Sequence, residues 1–316
     1  MNHRSATIAL LLLLKSPLTI SLFAQTQPEA TSLLGQPLQR ISFSDEELIK
    51  LSANLASAQA DYKTDPNNAN NIIWLGRRLA YLWRYREAIA VFTKGLEKYP
   101  ENPWLYRHRG HRYITVREFN NAISDLEKAT QLIANVPDEV EPDGAPNKHN
   151  IPRSTLHSNI WYHLGLAYYL KKDFENALRA YRAGMELSKV NDDMLVAASH
   201  WLYMTLRRLE RPDEAEEVLE PIHDQMEILE NESYHKLLLM YKGALSPDGL
   251  LDPDAADDLA LATTGYGVGN WYLCNGHEAK AREIFEKIVA TRYWAAFGHI
   301  AAEAELDESN RESKTP

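Results

Sequence analysis

Small and large apolar residues recur along the middle of the chain at a constant interval. One copy of the pattern has its small and large positions at Gly76, Ala88 and Phe92. A shift of 34 residues brings Gly110, Ala122 and Leu126 to the same places. This spacing predicts pairs of helices, with the glycine and alanine where the first helix (A) and the second (B) cross closely. The large residues then fill the space between successive pairs.

A later copy carries the pattern in its fullest form. It reads Trp161-x-x-Leu164-Gly165-x-x-Tyr168 and continues to Ala177 and Tyr181. The pattern resembles the tetratricopeptide repeat, in which W-x2-L-G-x2-Y is followed by A-x3-F and then by P. The resemblance implies an all-α fold, an α-solenoid of helical hairpins that acts as a scaffold for protein–protein interaction. Because this fold has many kinds of partner, it does not define one function.

Five repeats are expected within a solenoid that spans residues 44–306. They lie near 69–102, 103–133, 158–191, 196–229 and 262–292. The fourth is weaker because Tyr203 takes the place of the glycine, and the fifth contains Val268-Gly269-x-x-Tyr272. Capping helices are predicted at both ends of the solenoid, because terminal repeats need a polar outer face. A capping box of Ser44 and Glu47 begins the first of them, and an amphipathic helix near Phe297 forms the second.

Three stretches are predicted to lie outside these helices. Proline, glycine and charged residues between the second and third repeats indicate an exposed loop over 134–154. Residues 25–43 are polar and interrupted by Pro28 and Pro37, which is typical of a disordered leader. Residues 307–316 are predicted to be a disordered tail.

The N-terminus has the pattern of a secretory signal peptide. Arg4 precedes a seven-residue apolar run from Ile8 to Leu14, and a small residue stands at Ala24. We therefore expect residues 1–24 to be removed and the mature protein to be exported, periplasmic or secreted. The alternative is an uncleaved membrane anchor, although Lys15 within the apolar segment costs about 3 kcal/mol in a bilayer.

Composition and charge narrow the possible functions. The chain has 316 residues, a formal net charge of -10 and one cysteine, Cys274. One cysteine excludes an intramolecular disulfide and a cysteine-based zinc site, and the acidic balance argues against nucleic acid or an anionic membrane as partner. No hydrolase, zincin, Walker or EF-hand motif occurs in the sequence. We therefore expect no enzyme activity, no catalytic or metal site and no cofactor.

The charges are distributed unevenly between the helices. Five predicted A-helix windows, 69–82, 103–116, 158–171, 196–209 and 262–275, contain eight Lys or Arg residues and no Asp or Glu. Burial alone would lower charges of both signs. The resemblance implies that A-helices line the concave surface, so this groove is expected to be neutral to basic.

Aromatic side chains alternate with arginines on that predicted groove, which favours binding of an acidic or carboxylate-ended protein segment. The candidate groove residues are Trp74, Arg77, Tyr81, Trp104, Arg107, His108, His111, Asn159, Tyr162, His163, His200, Trp201, Met204 and Asn270. Packing within the core is the alternative role for each of them. Two other functions use the same surface: a homodimer that buries Trp104 and Trp201, and an accessory subunit that stacks cell-wall glycan on aromatic rings.

A narrower resemblance appears in the second half of the chain. His200-Trp201-Leu202-Tyr203, a degenerate segment and Gly269-x-x-Tyr272-x-x-x-Gly276 occur in an order similar to that of periplasmic new-lipoprotein adaptors. That resemblance implies a cell-envelope scaffold that brings hydrolases to a protease. The lipid-bearing cysteine of those proteins is absent here, so the resemblance does not imply membrane tethering.

Overall fold

Thirteen α-helices account for most of the computed structural model, which describes residues 27–251 and 258–312. In chain order they are α1 Asp45–Thr64, α2 Ala69–Tyr81, α3 Tyr85–Lys98, α4 Pro103–Thr115, α5 Phe119–Ile133, α6 Leu156–Leu170, α7 Phe174–Ser188, α8 Asp192–Arg208, α9 Pro212–Leu219, α10 Glu232–Tyr241, α11 Asp258–Cys274, α12 Glu278–Val289 and α13 Phe297–Glu312. Two short strands, β1 Ala30–Thr31 and β2 Pro37–Leu38, precede them. The predicted signal peptide, residues 1–24, lies outside the described residues. No helix that the structure describes combines the length and the apolarity needed to cross a membrane.

Successive hairpins pack as the repeat pattern predicts. A Cβ atom added at Gly165 of α6 would lie 2.6 Å from the ring of Tyr181 on α7, and one at Gly110 would lie 2.8 Å from Leu126. Each glycine therefore lets a large residue of the partner helix approach its backbone. In the fourth hairpin Tyr203 occupies the glycine position and packs in the same core as Leu219. The stacked hairpins confirm the predicted all-α solenoid.

The turn from each A-helix to its B-helix has the same backbone conformation. One residue in each turn has a positive φ: 57° at Trp83, 65° at Arg117, 62° at Lys172, 57° at Glu210 and 76° at Gly276. This left-handed region favours glycine, yet only the last turn has one. The same turn conformation therefore recurs in all five hairpins even where the residue at the turn differs.

The predicted disordered leader is wrong for residues 27–43, because they form an antiparallel hairpin in which Ala30 pairs with Leu38. Glu29 is buried, and its carboxylate accepts hydrogen bonds from the Arg86 backbone N–H at 3.0 Å and the Arg40 side chain at 2.6 Å. These contacts attach the hairpin to α3 and supply the order that the polar sequence alone did not indicate.

Both predicted caps are present. Helix α1 begins with the Ser44–Glu47 capping box and packs on α2. Helix α13 packs on α11 and α12, and it also reaches across to α6. It continues to Glu312, so the tail prediction is wrong for residues 307–312, and residues 313–316 lie outside the described part.

Candidate functional site

We call the side of the A-helices that carries the predicted groove residues the inner face. These residues do not line an open groove. Nine of the fourteen are buried: Arg77, Arg107, His108, Asn159, His163, His200, Trp201, Met204 and Asn270. The other five, Trp74, Tyr81, Trp104, His111 and Tyr162, are half-buried. The expectation of a displayed concave surface is therefore corrected, because other segments of the same chain cover this face.

One covering segment is the strap, which we define as residues 139–144 between α5 and α6. Its first half is held by a hydrogen bond from the Leu156 N–H to the Glu139 carbonyl at 2.8 Å and one from the Glu141 N–H to the Ser154 carbonyl at 2.9 Å. The 134–154 stretch was predicted as an exposed loop, and most of it is exposed, but Glu141 is only 5% exposed. The loop therefore places one acidic side chain, that of Glu141, in the interior of the solenoid.

The Glu141 carboxylate lies among basic and polar groups of three A-helices. Its oxygens lie 3.0 Å from Arg107 Nε and 3.9 Å from Arg77 Nη2, and the Asn159 side-chain amide donates a hydrogen bond to it at 2.8 Å. Arg77 also donates to the Pro142 carbonyl at 2.6 Å. The strap thus acts as an acidic segment bound to the basic inner face.

The half-buried Trp74 is covered by guanidinium groups of its own helix. The Arg77 and Arg78 guanidinium carbons lie 4.3 and 4.7 Å from the Trp74 ring centroid. Arg78 in addition donates a hydrogen bond to the Gly144 carbonyl at 2.7 Å. These cation–π contacts hold the arginine side chains against the inner face, beneath the strap.

The second covering segment is α13 with the residues just before it. The Phe297 ring lies 5.3 Å from the His111 ring and 5.7 Å from the His163 ring. Before the helix, the Trp294 ring lies 5.0 Å from the Trp83 ring and its indole N–H donates to the Gln39 carbonyl at 2.6 Å. The C-terminal segment therefore joins the last repeat to the first.

Two buried glutamates fasten α13 to the basic A-helices and turns. Glu305 lies 2.6 Å from Arg208 Nη1 and 2.7 Å from Lys172 Nζ. Glu303 lies 2.5 Å from Arg117 Nη2, and both of these side chains are almost completely buried. The basic character predicted for the inner face is thus matched by acidic side chains from within the chain.

The candidates on α8 and α11 belong to an aromatic core. Trp201 is 1% exposed and its ring lies 5.1 Å from Tyr169 and 6.0 Å from Tyr266. His200 stacks on Tyr234 of α10 at 4.6 Å, and burial lowers its pKa to about 3, so this imidazole is neutral. Because Trp201 is inside the fold, it is not on display for a dimer contact or for stacking on glycan.

Histidines near the strap are also neutral. Burial, reinforced by Arg107, lowers the pKa of His108 well below its ordinary value, and burial with Arg112 does the same for His111. Neighbouring guanidinium charges disfavour a metal cation here. Among residues 27–251 and 258–312 there is no group of three or more His, Cys, Asp or Glu side chains placed to hold a metal ion.

Sequence reasoning missed the acidic partners of the inner face, Glu141, Glu303 and Glu305. The two C-terminal glutamates lie in an alanine-rich helical stretch, and their burial could have been suspected from the acid-free A-helices. Glu141 had no comparable signal, because it lies in a proline- and glycine-containing loop with no periodic pattern.

Comparison with known proteins identifies one repeat by sequence. The tetratricopeptide repeat model matches residues 158–191, the stretch that contains α6 and α7. No curated protein matches the chain significantly. The structure is thus a solenoid of helical hairpins in which the α6–α7 hairpin is similar to the tetratricopeptide repeat, and this kind of fold is typical of protein-interaction scaffolds.

Solved structures of similar proteins include YrrB, a TPR protein with an unusual peptide-binding site, at 17% identity, with 81% of this chain and 97% of that chain covered and a TM-score of 0.41. A tetratricopeptide repeat protein from Parabacteroides merdae has 16% identity, coverage of 86% and 90%, and a TM-score of 0.45. BtubC from P. vanneervenii has 15% identity, coverage of 86% and 93%, and a TM-score of 0.43. At these scores the superpositions are loose, and the likeness extends to the helical-repeat fold alone.

Proposed function

We propose that this protein is an exported, non-catalytic adaptor that binds an acidic protein segment on its inner face, at the place the strap occupies. The observation that carries the proposal is the buried Glu141 carboxylate, held by Arg107 and Asn159 with Arg77 nearby. A partner with a carboxylate at the same place would make the same charge-assisted contacts. Binding would then consist of exchanging an internal acidic segment for an external one.

The strap is easier to displace than α13 because it buries little apolar surface. Val140 is 59% exposed, whereas Ile300, Ala301 and Leu306 of α13 are between 0% and 4% exposed. Removing α13 would expose those side chains to water, which costs about 25 cal/mol of free energy per Å² of apolar area. Lifting the strap would mainly replace its polar contacts with hydrogen bonds to water, which costs less. The exchange site is therefore the part of the inner face formed by α2, α4 and α6.

Export is part of the proposal and rests on the N-terminal pattern of Arg4, the apolar run 8–14 and Ala24. The intact mass of the protein from an exporting host should correspond to a chain that begins near Gln25. A mass that includes Met1 would contradict cleavage. The resemblance to new-lipoprotein adaptors stays a prediction within the same proposal, and co-purification from periplasm with mass spectrometry would identify the partner.

A peptide with the strap's own sequence, residues 137–146, is a defined probe for the exchange. Labelled and added to the full mature protein, it should bind more tightly to Glu141→Ala than to the unchanged chain, because that variant weakens the internal competitor. One charge-assisted hydrogen bond contributes about 1.5 to 3 kcal/mol, so we expect a gain of about tenfold or more. The control is Glu139→Ala, which removes the same charge from an exposed strap residue and should change little.

The basic side of the site is tested with two charge reversals. Arg107→Glu should abolish peptide binding, whereas Lys94→Glu, which changes an exposed residue of α3, should weaken it only slightly. Affinity should also fall with added salt, since screening acts over about 8 Å at physiological ionic strength. Equal losses in the two reversals would mean that net charge drives binding, and equal affinities of the Glu141 and Glu139 variants would refute exchange at the strap.

A further inference from the structure

A polar pocket of about 140 Å³ lies between α2 and α4, beneath the strap. Its charged lining groups are Arg77, Arg107, Arg112 and Glu141, and His108 and His111 complete its polar wall. A buried water needs at least about 10 to 15 Å³ of such volume, so the pocket has room for several waters or for a small ion with waters.

The charges around this pocket do not balance. Three guanidinium groups face one carboxylate. Both histidines are neutral and add no charge, so the lining carries a net charge of about +2. Burial lowers the pKa of Arg112 to about 10, which still leaves it charged at neutral pH. Asp143 on the strap does not line the pocket, and burial raises the pKa of its carboxyl although Arg77 opposes the rise. Even with Asp143 included, the positive charge is in excess.

Arg112 contributes one of these excess charges. Its guanidinium lies 5.4 Å from the Tyr85 ring centroid, and no ion pair joins it to a carboxylate within the described part of the chain. By contrast, Arg109 on the same helix lies 2.7 Å from Asp125. Arg112 is half-buried, and a partly buried guanidinium without a counter-charge favours an anion beside it.

Donors without acceptors also lie at this pocket. The Arg107 Nη1 group donates to His108 Nδ1 at 3.1 Å, so the neutral imidazole carries its proton on Nε2. That buried Nε2 lies 3.9 Å from a Glu141 oxygen, which is too far for a hydrogen bond. Arg107 Nε also has no hydrogen-bond partner, because its 3.0 Å approach to Glu141 is an ion pair without hydrogen-bond alignment. Unpaired buried donors beside an excess of positive charge favour an anionic acceptor.

We propose that this pocket binds a small dianionic oxyanion of the phosphate or sulfate class. The guanidinium forks of Arg77, Arg107 and Arg112 supply the charge, and the planar fork suits tetrahedral oxyanions as well as carboxylates. The His108 Nε2–H supplies a neutral donor. The pocket shares Arg77, Arg107 and Glu141 with the proposed exchange site. The test therefore uses Arg112, which takes no part in the exchange of the strap, so that the two proposals can fail separately.

The test is a titration of the full mature protein, dialysed free of phosphate and sulfate, with sodium phosphate and with sodium sulfate at constant ionic strength set by sodium chloride. Calorimetry should show saturable binding of one anion per chain, and the melting temperature should rise with anion concentration. Arg112→Gln should weaken phosphate binding about tenfold or more. Lys94→Gln removes the same charge at the outer surface and should leave the affinity unchanged.

The melting temperature without phosphate is a second measurement, and it distinguishes the loss of an anion site from a general loss of stability. In phosphate-free buffer Arg112→Gln should melt at the same or a higher temperature than the unchanged chain, because it removes an unbalanced charge from a half-buried position. Arg112→Lys keeps the charge but loses the fork, so it should bind phosphate with intermediate affinity. Equal phosphate-induced shifts in the unchanged chain and Arg112→Gln would overturn the proposal. A rise in melting temperature with phosphate no larger than the rise with chloride would overturn it as well, whether or not the strap peptide binds.

Discussion

Glu305 offers a quantitative test of how the C-terminal helix is held. It is 8% exposed and lies between Arg208 and Lys172, whose side chains are 14% and 18% exposed. Glu305→Gln keeps the shape of the side chain but removes the carboxylate charge that pairs with Arg208 and Lys172. Breaking a buried ion pair from one side costs about 3 to 5 kcal/mol, and the partial exposure of the cations places this case near the lower end of that range.

Urea denaturation of the purified mature protein measures the loss as a fall in the midpoint at an unchanged slope. The matched control is Glu283→Gln on α12, whose pair with Lys287 is mostly exposed, with side-chain exposures of 65% and 63%. We expect little or no change there, because exposed pairs contribute little. Combining Glu305→Gln with Arg208→Met should cost less than the sum of the two single changes.

The effect of Glu305 should depend on pH. Burial raises the pKa of its carboxyl, but Arg208 and Lys172 outweigh burial and hold the pKa below the ordinary value of 4.5. A folded-state pKa that is lowered gives stability that is present above the ordinary value and is lost as pH falls through the folded-state pKa. The difference between the unchanged chain and Glu305→Gln should therefore be full at neutral pH and shrink below about pH 4.5. Equal midpoints for the Glu305 and Glu283 variants at neutral pH would refute this account of α13.

Two further predictions concern the repeat itself. Gly165→Leu should lower the free energy of unfolding by about 1 to 3 kcal/mol, since even a Cβ would press on Tyr181, whereas Ala183→Leu on the exposed side of α7 should change the melting temperature little. Equal melting temperatures would contradict the packing described for this hairpin. Glu210→Gly should stabilise by about 0.5 kcal/mol because it relieves a φ of 57°, while Glu217→Gly within α9 should destabilise by about 1 kcal/mol. Urea midpoints that moved in the same direction for both would argue against strain at the turn.

The repeat could be derived from the sequence because its contacts are local. Gly165 and Tyr181 belong to one hairpin, so a fixed spacing along the chain records which small residue faces which large one. The basic character of the inner face could be derived for a similar reason, since α2 and α4 contain arginines and no Asp or Glu. Helix identity, hairpin order and the sign of the charge on that face were therefore present in the sequence.

The tertiary structure alone decided what covers that face. The Leu33 N–H donates to Glu303 at 3.1 Å across 270 positions, and Glu141 reaches Arg77 from a loop with no periodic pattern. The hairpin at 27–43 is ordered by contacts of the same long-range kind, although its composition is typical of disorder. Composition and periodicity describe the environment a side chain prefers, but not which distant segment provides it. For this reason the sequence indicated a basic groove awaiting an acidic partner, and only the folded chain showed that its own glutamates already occupy much of it.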